Sequence, residues 1–298
     1  MDNHRPIHIL LQTTIAPAED DWHIGRFSAL RHHLEQYADN EGRRLFQVSA
    51  RDRTAADAPD PVLSTLDESD VDELWLFAVD TGDGLTGADC EGIARFRKRG
   101  GGLLVARDHM DLGCSVVTLA GVGAANYFHN HHPDPDPTRR QVDDIATPMI
   151  QWPNYHSGAN GDFQTIEAEH PAHPVLTDPE AADGVIRFLP SHPHEGGIGA
   201  PADDASARVI ATGKSQVTGN RFNLAVVFEP ADEYGPAIAQ STFHHFADLN
   251  WDPALGCPSF VTEPPGNRMA QSPQAQRAVR RYVVNLAHWL AGKTVPAA

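Results

Sequence analysis

The chain has few cysteines, and the three that it has are widely spaced along its 298 residues. Cys90, Cys114 and Cys257 are odd in number and form no paired motif. This pattern argues against a disulfide framework and against a zinc site built from thiolates alone. We therefore expect three reduced thiols.

Long apolar runs are also absent, since no segment approaches the roughly 18 consecutive apolar residues that a membrane span requires. The N-terminal stretch MDNHRPIHILLQTT places charge and Pro6 ahead of only a short apolar run. It therefore lacks the long apolar core and the cleavage site of a signal peptide. These absences predict a soluble, cytoplasmic protein with no membrane partner.

Basic residues are scarce relative to acidic ones: 23 Lys and Arg face 40 Asp and Glu, which gives a formal net charge of −17. Such a surface repels a phosphate backbone, so nucleic acid is not expected as a partner. The same field slightly favours cations, including metal ions. Histidine, in contrast, is abundant: 17 residues, many of them in loops that also carry Asp.

Short apolar runs alternate with helical patterns over the first third of the chain. Strands are predicted at PIHILLQT, RRLFQVSA, VDELWLFAVD (71–80) and GLLVA, and the nearly continuous third run is typical of a strand buried on both faces. A helix over TGADCEGIARFRKRGGG would begin with Thr86 as its N-cap and end at the glycines. This alternation predicts an α/β fold with a doubly wound, mostly parallel sheet.

The middle of the chain, residues 126–199, is rich in Pro, His, Asp and Gly and has few periodic elements. We interpret it as a loop-rich insertion, a feature that is usually functional in a compact domain. Three short strands follow at ARVIAT, LAVVFEP and AIAQSTF, and a helix from about Pro273 to Leu290 closes the chain. Residues 1–298 are predicted to form one domain, because the early strands are too few to stand alone.

Polar side chains follow three of the predicted strands, which is where ligands bind in an open α/β sheet. The turns after the first, third and fourth strands carry, in that order, Asp20, Asp21 and His23; Asp80 and Asp83; and Asp108, His109 and Asp111. We expect these acids and imidazoles to converge on one crevice. The alternative is that they are ordinary turn and cap residues. This alternative explains VDTGDG about as well as a binding role does, but it explains RDHMD poorly.

The turn ARDHMDLG occupies the position of a nucleophile elbow, but it holds Asp108 and His109 where a Ser or Cys would stand. Cys114, five residues beyond His109, is expected to be a core residue of the following helix. An imidazole at this turn predicts acid–base chemistry or metal ligation, and not covalent acyl transfer.

Three further segments concentrate histidine. In LPSHPHEGG, His192 and His194 lie two residues apart and would point the same way in an extended chain, which suits chelation, with Glu195 next to them. In QSTFHHFADLNWD, one of His244 and His245 should face the crevice; which one is left open, and a packed core histidine is the alternative for either. FHNHHPDPDP could bind a metal weakly or form a solvated surface loop; the loop is favoured, because the spacing of its histidines and aspartates matches no defined metal site.

Taken in order, these features resemble the ThuA-like family, a branch of the class I glutamine amidotransferase-like, flavodoxin-like superfamily. The resemblance is carried by KRGGGLLVA, LAGVGAANYFHNHHP, EAEHPAHPVL, STFHHF and NLAHWLAG. It implies a single three-layer α/β domain with its site at the turn after the fourth strand, and a role in sugar metabolism. It also implies that His244 or His245 takes the place of the superfamily's catalytic histidine. The early loop acids and SHPHEGG depart from the family's pattern.

The first functional hypothesis is an enzyme that acts on a small polar, carbohydrate-like or carbonyl-containing substrate by proton transfer, as an isomerase, lyase or hydrolase. Asp108, His109, His244 and His245 are its candidate catalytic residues; Asp20, Asp21, His23, Asp80, Asp83 and Glu195 are its candidate substrate-binding residues. His192, His194 and Glu195 would hold either a divalent metal (Zn, Mn or Fe) or the substrate, and His109 is a further candidate metal ligand. No nucleotide cofactor is expected.

The second hypothesis is a non-catalytic protein that binds a ligand or a partner on an amidotransferase-like scaffold. The missing nucleophile favours it, since a fold does not determine a function. A functional glutamine amidotransferase would need a cysteine at the elbow, and none is there. Homo-oligomer formation is left open.

Overall fold

The computed structural model describes residues 5–140, 142–143, 147, 149–231 and 234–295. The strands in this part of the chain are β1 (Ile7–Thr13), β2 (Phe46–Arg51), β3 (Glu73–Phe77), β4 (Gly102–Ala106), β5 (Asn126–Tyr127), β6 (Phe163–Thr165), β7 (Glu167–Ala168), β8 (Phe188–Pro190), β9 (Gly197–Ile198), β10 (Ala207–Lys214), β11 (Arg221–Phe228) and β12 (Ala237–Gln240). The α-helices are α1 (Ser28–Gln36), α2 (Gly87–Lys98), α3 (Asp248–Trp251), α4 (Arg268–Gln271) and α5 (Pro273–Leu290).

Eight strands of the described chain form one central sheet in the order β2-β1-β3-β4-β12-β11-β10-β7. The pairs from β2 to β12 are parallel, and the pairs from β12 to β7 are antiparallel. The predicted α/β fold with a mostly parallel sheet is therefore confirmed. The antiparallel part arises because β10 and β11 are joined by a short connection, which allows a hairpin but no crossover helix.

The side chains of β3 show why the sheet lies between two layers of helices. Trp75 and Phe77 belong to the apolar cluster on the face that α1 and α5 cover, whereas Leu74 and Leu76 belong to the cluster under α2. Successive side chains of a strand point to opposite faces, so a strand buried on both sides must be apolar throughout. This explains the continuous run ELWLF and gives the predicted three layers.

Two helices have the ends that the sequence predicts. The side chain of Thr86 accepts a hydrogen bond from the backbone of Asp89 at the start of α2, and the Asp89 carboxylate bonds back to Thr86, which forms a capping box. Helix α5 runs from Pro273 to Leu290, as expected, with Ser272 as its cap. No helix of the described chain has both the length and the hydropathy needed to cross a membrane.

The central segment 126–199 contains short strands joined by long loops. Strands β5 and β9 pair with each other, β6 pairs with β8, and β7 extends the edge of the central sheet beside β10. Residues 141, 144–146 and 148 of this segment lie outside the described chain. The segment thus belongs to the same body as the sheet, and it carries the loops that follow β8 across the carboxyl ends of the parallel strands.

The prediction for Cys114 is confirmed in one respect and changed in another. Its side chain is buried, and burial raises the pKa of the thiol to about 11, so a reactive thiolate is disfavoured. The segment Cys114–Thr118 is a short 3-10 helix, however, and not the first turn of an α-helix. Gly113 precedes it with a φ of 84°, a left-handed conformation that glycine adopts without strain.

Buried neutral histidine should make the fold sensitive to acid. His173 is buried against Trp289, and its Nδ1 accepts a hydrogen bond from the backbone of Val175. Burial lowers the pKa of His173 to about 4, whereas an unfolded histidine has a pKa of about 6.5. The unfolded chain therefore binds more protons between these values, and stability is lost as the pH falls through that window.

We predict that His173→Asn, which keeps a side-chain acceptor for Val175, reduces this acid sensitivity. The loss of unfolding free energy between pH 7.5 and pH 5, measured by urea denaturation, should shrink by about 1 to 2 kcal/mol. His32→Asn, at an exposed position, is the matched control and should leave the pH profile unchanged. Equal profiles for both variants would show that His173 is not the group responsible.

Candidate functional site

Asp108, His192 and His244 meet at the carboxyl end of the parallel strands. Asp108 follows β4, His192 follows β8, and His244 lies in a 3-10 helix that follows β12. One ligand atom from each residue lies within 4.8 Å of the others, and all three residues are buried. Nε2 of His192 is 3.4 Å from Oδ1 of Asp108, and Nε2 of His244 is 3.9 Å from Oδ2.

The sheet itself brings Asp108 and His244 together. Strands β4 and β12 are parallel neighbours in which Ala106 pairs with Gln240, so both chains leave the sheet at the same edge. Thr242, two residues past the end of β12, donates its hydroxyl to Oδ1 of Asp108 at 3.0 Å. The side chain of Thr242 also accepts a hydrogen bond from the backbone of His244, which begins the 3-10 helix. Strand order thus determines which residues share the site.

Asparagine side chains orient both imidazoles. Nδ1 of His192 lies 2.9 Å from Oδ1 of Asn160, and Nδ1 of His244 lies 2.8 Å from Oδ1 of Asn250. Nδ2 of Asn250 donates to Oδ1 of Asn160 and to the carbonyl of Ser191, so both amide oxygens are acceptors. Each Nδ1 therefore carries a proton, and each Nε2 presents a lone pair toward Asp108.

Burial determines the charge of the two imidazoles. It lowers the pKa of His192 to about 4, against the opposing effect of Asp108, and it lowers the pKa of His244 well below its usual value. Burial would raise the pKa of the Asp108 carboxyl, but His192 and His109 outweigh it and hold this pKa well below the usual value. Near pH 7 the cluster therefore contains one carboxylate and two neutral imidazoles.

His109 and His194 lie between this cluster and solvent. Nδ1 of His109 is 3.0 Å from Oδ2 of Asp108, and the side chain is 24% exposed. The ring of His194 lies 5.6 Å from the rings of both His109 and His192, and its Nδ1 bonds Oδ1 of Asn154 at 3.0 Å. The predicted histidines 109, 192, 194 and 244 thus come together, although only His192 and His244 belong with Asp108 to the close group.

Backbone strain is concentrated at the turn that carries His109. Met110 has a φ of 45°, which is uncommon for a residue with a side chain. Its carbonyl accepts a hydrogen bond from Arg107, whose fully buried guanidinium stacks on Phe128. Gly196 lies so close to this guanidinium that a Cβ at this position would clash with Nη1. Arg107 and Gly196 therefore fix the position of the turn together.

His245 and Glu195 lie behind the cluster. Nδ1 of His245 is 3.3 Å from the side-chain oxygen of Gln240, and its Nε2 is 3.5 Å from Glu195. Glu195 is fully buried and accepts hydrogen bonds from Ser157, Gln164 and Ser241. Of the adjacent pair, His244 therefore faces the site, and Glu195 joins the segments that carry the histidines.

The acids after β1 form local hydrogen bonds. Asp20 is exposed and accepts hydrogen bonds from the backbone and the hydroxyl of Ser259. Asp21 accepts one from the backbone of the next residue, and His23 accepts one from the backbone two residues on. These geometries are those of turn and cap residues, which was the alternative to substrate binding.

The acids after β3 follow the same pattern. Asp80 is buried and accepts hydrogen bonds from the backbone of Gly82 and from the backbone and hydroxyl of Ser115. Asp83 is exposed at the surface of the same turn. Asp80 thus joins this turn to the one after β4 and does not reach the Asp108 cluster.

The histidine-rich loop 128–137 holds its side chains by contacts within the chain. Nδ1 of His129 bonds the carbonyl of Trp152, and Nδ1 of His132 bonds the carbonyl of Asn126. The loop contributes no residue to the one group of potential metal ligands found in the described chain.

Several neighbours of the cluster were not found from the sequence. Trp22 packs edge-on against His244, with ring centroids 4.7 Å apart, and Nε2 of His194 lies 3.4 Å from Oε1 of Glu263. Asn154, Asn160 and Asn250 escaped a search for ionisable groups because an amide does not titrate. Their one signal in the sequence is that each lies within five residues of a histidine.

We predict that Glu195→Ala destabilises the fold strongly, because it leaves the buried donors of Ser157, Gln164 and Ser241 unpaired. The unfolding free energy, measured by urea denaturation at pH 7, should fall by about 3 kcal/mol or more. Glu167→Ala, at an exposed position, should change it by less than about 0.5 kcal/mol. Similar values for the two variants would exclude a central structural role for Glu195.

Comparisons with known proteins concern the fold. No family model matches the sequence, and no curated protein matches it significantly. The structure is similar to that of a ThuA-like protein from Parabacteroides merdae ATCC 43184, with a TM-score of 0.54 and 15% identity over 99% of this chain and 93% of that one. A ThuA-like protein from Bacteroides uniformis ATCC 8492 gives a TM-score of 0.45 and 11% identity over 96% and 91% of the two chains.

The glutaminase domain of Trypanosoma brucei CTPS gives a TM-score of 0.42 and 12% identity over 91% of this chain and 94% of that one. The assignment rests on the Parabacteroides merdae structure, which matches over nearly the full length of both chains. The resemblance drawn from the sequence is thus confirmed for the architecture. The chain has the ThuA-like fold, a flavodoxin-like α/β arrangement with its histidine cluster after β4 and β12.

Proposed function

We propose that the protein is a metal-dependent enzyme that acts on a small polar, carbohydrate-like or carbonyl-containing molecule, as a hydrolase, lyase or isomerase. One observation carries the proposal: two neutral imidazoles and one carboxylate converge in a buried group, with both imidazoles held by amides through Nδ1. Carbohydrate chemistry is proposed from the ThuA-like features of the sequence. The remaining argument comes from the cluster itself.

The donor set suits a divalent ion. Metal ligation requires deprotonated ligands, and the pKa shifts of Asp108, His192 and His244 all favour those forms. Two ligands each about 2.1 Å from a tetrahedral ion lie about 3.4 Å apart. The 3.4 Å between Nε2 of His192 and Oδ1 of Asp108 matches that spacing, and one ligand atom from each of the three residues lies within 4.8 Å of the others. Zn, Mn and Fe all accept such a mixed set of nitrogen and oxygen ligands.

The environment of the cluster also fits a metal. Nε2 of His192 is buried and has no hydrogen-bond partner within the described residues, although a buried polar atom normally has one. The amides of Asn160 and Asn250 occupy the place of the outer-shell groups that orient metal-binding histidines. Three protein ligands would leave a coordination position open for substrate, as in catalytic sites.

A divalent ion held there would polarise a carbonyl or hydroxyl oxygen of the substrate. The protein's own residues would supply proton transfer and orientation. His109 is the partly exposed imidazole next to the cluster, and Asp108 fixes its ring through Nδ1. It can therefore exchange a proton with a substrate at the mouth of the site, which is the solvent side of the cluster where His109 and His194 lie. Trp22 and Phe243 pack against His244 and exclude water from that side.

We predict that the untagged protein, purified without a nickel column, contains about one divalent ion per chain. His192→Ala and His244→Ala should each reduce the metal content below about a tenth of that value, because each removes one of three ligands. His131→Ala, at an exposed position of the histidine-rich loop, is the matched control. Metal analysis by mass spectrometry gives the stoichiometry, and circular dichroism checks the fold.

Metal content that is the same in all four proteins, or absent from the parent, would contradict the proposed metal site. An ion that binds without turnover of keto sugars, sugar esters or glycosides would instead support the non-catalytic alternative. In that case a ligand would bind at the same cluster without being transformed.

Asn250 provides a test of the outer shell. We predict that Asn250→Ala weakens metal affinity by about tenfold to a hundredfold, because His244 loses the acceptor that fixes its tautomer. Asn250→Asp keeps the oxygen acceptor for His244 but loses the two hydrogen bonds that Nδ2 donates to Asn160 and Ser191, so it should weaken metal affinity by an intermediate amount. Asn220→Ala, at an exposed position, should have no effect. Competition with a chromogenic chelator measures the affinities, and equal values for the alanine variants would rule out this role.

A further inference from the structure

We infer that Glu263 makes the mouth of the site selective against anions, so that the site accepts an uncharged or cationic polar ligand. The inference rests on the proposed function, because the ligand is one that reaches the Asp108 cluster. Glu263 was not among the residues that the sequence singled out.

Glu263 stands at the outer end of a series of contacts that begins in the cluster. The ring of His194 lies 5.6 Å from that of His192, and Nε2 of His194 is 3.4 Å from Oε1 of Glu263. The side chain of His194 is 5% exposed, whereas that of Glu263 is 40% exposed. The carboxylate therefore marks one of two places where the histidines approach solvent; the other is His109, whose side chain is 24% exposed.

The loop that carries Glu263 is tied to the site at both ends. The backbone and hydroxyl of Ser259 bond the carboxylate of Asp20, which belongs to the loop after β1. The backbone of Gly266 bonds the carbonyl of Asn160, the residue whose side chain orients His192. Residues 259–266 thus cross the region between the two loops, with Glu263 held near its middle.

The groups around this loop are mainly acidic. Burial raises the pKa of the Cys257 thiol; Arg26 acts to lower it, while Asp20 and Glu263 raise it further. Two carboxylates therefore act on one side chain at the start of the loop, against one guanidinium. The whole chain carries a formal charge of −17, so the distant field has the same sign.

This arrangement has a direct consequence for ligands. A carboxylated or phosphorylated molecule would have to pass a fixed negative charge to reach the cluster, and like charges placed together are unfavourable. A hydroxyl or ammonium group could instead donate a hydrogen bond to Glu263, since an ionised carboxylate only accepts. The site therefore fits an uncharged polyol or an amine better than an acid.

The test compares an anionic and a neutral probe on protein loaded with Co²⁺, whose visible absorption reports ligand binding. Azide is the anion, and imidazole is the neutral probe. Glu263→Gln keeps the size of the side chain and a polar contact with His194 but removes the charge. It should strengthen azide binding about threefold to tenfold and change imidazole binding less than twofold. Glu91→Gln, on the exposed side of α2, is the matched control.

The outcomes separate the inference from the function on which it rests. Unchanged azide affinity in Glu263→Gln overturns the inference, and so does an equal change for azide and imidazole, which would indicate that Glu263 only positions His194. Glu263→Ala extends the comparison, because it removes the contact with His194 as well as the charge. Failure of the parent protein to take up Co²⁺ overturns the proposed metal site itself.

Discussion

The carboxylate of Asp108 has been removed from water, and a buried charge is stable only when other groups replace the lost hydration. Here two groups near the carboxylate offer hydrogen bonds: the hydroxyl of Thr242, from the end of β12, and Nδ1 of His109, from the same turn. His192, from the segment after β8, and His244 pack around the carboxylate with their Nε2 atoms 3.4 and 3.9 Å from its oxygens. The loops around the site are therefore constrained by one charge. Each must reach the same point, although the loops share no sequence pattern.

Amide side chains connect this buried charge to the rest of the fold. Asn160 belongs to the central segment and Asn250 to α3, and the two bond each other as well as the two imidazoles. The rings of His192 and His244 stack at 3.6 Å with an angle of 9° between them. The central segment therefore helps to support the site. It has few regular elements because side-chain contacts hold much of it in place, instead of a ladder of backbone hydrogen bonds.

The sequence predicts those parts of the fold in which burial forces a pattern. Strands β3 and β4, buried on both faces, and α5, with one apolar face, could be read directly. Strand β7 could not be predicted, because two residues are too few to show the alternation of apolar and polar side chains that marks a strand. In the site, Asp108 and His109 made the turn after β4 predictable from the sequence. Asp20 and Asp80 could not be distinguished from ligand-binding residues, because the carboxylate oxygens that accept hydrogen bonds in a turn are the same atoms that would bind a ligand. The choice between His244 and His245 depended on a 3-10 turn that the sequence does not signal.

The close approach of Gly196 to Arg107 has a consequence for engineering. Within the stretch from His192 to Gly196, His192 belongs to the Asp108 cluster, His194 contacts Glu263, Glu195 joins three segments, and Gly196 leaves room for the guanidinium. Substitutions that are meant to preserve the fold should therefore spare this pentapeptide. Variation belongs instead in residues 260–265, between the anchors Ser259 and Gly266, where a change leaves both anchoring contacts in place.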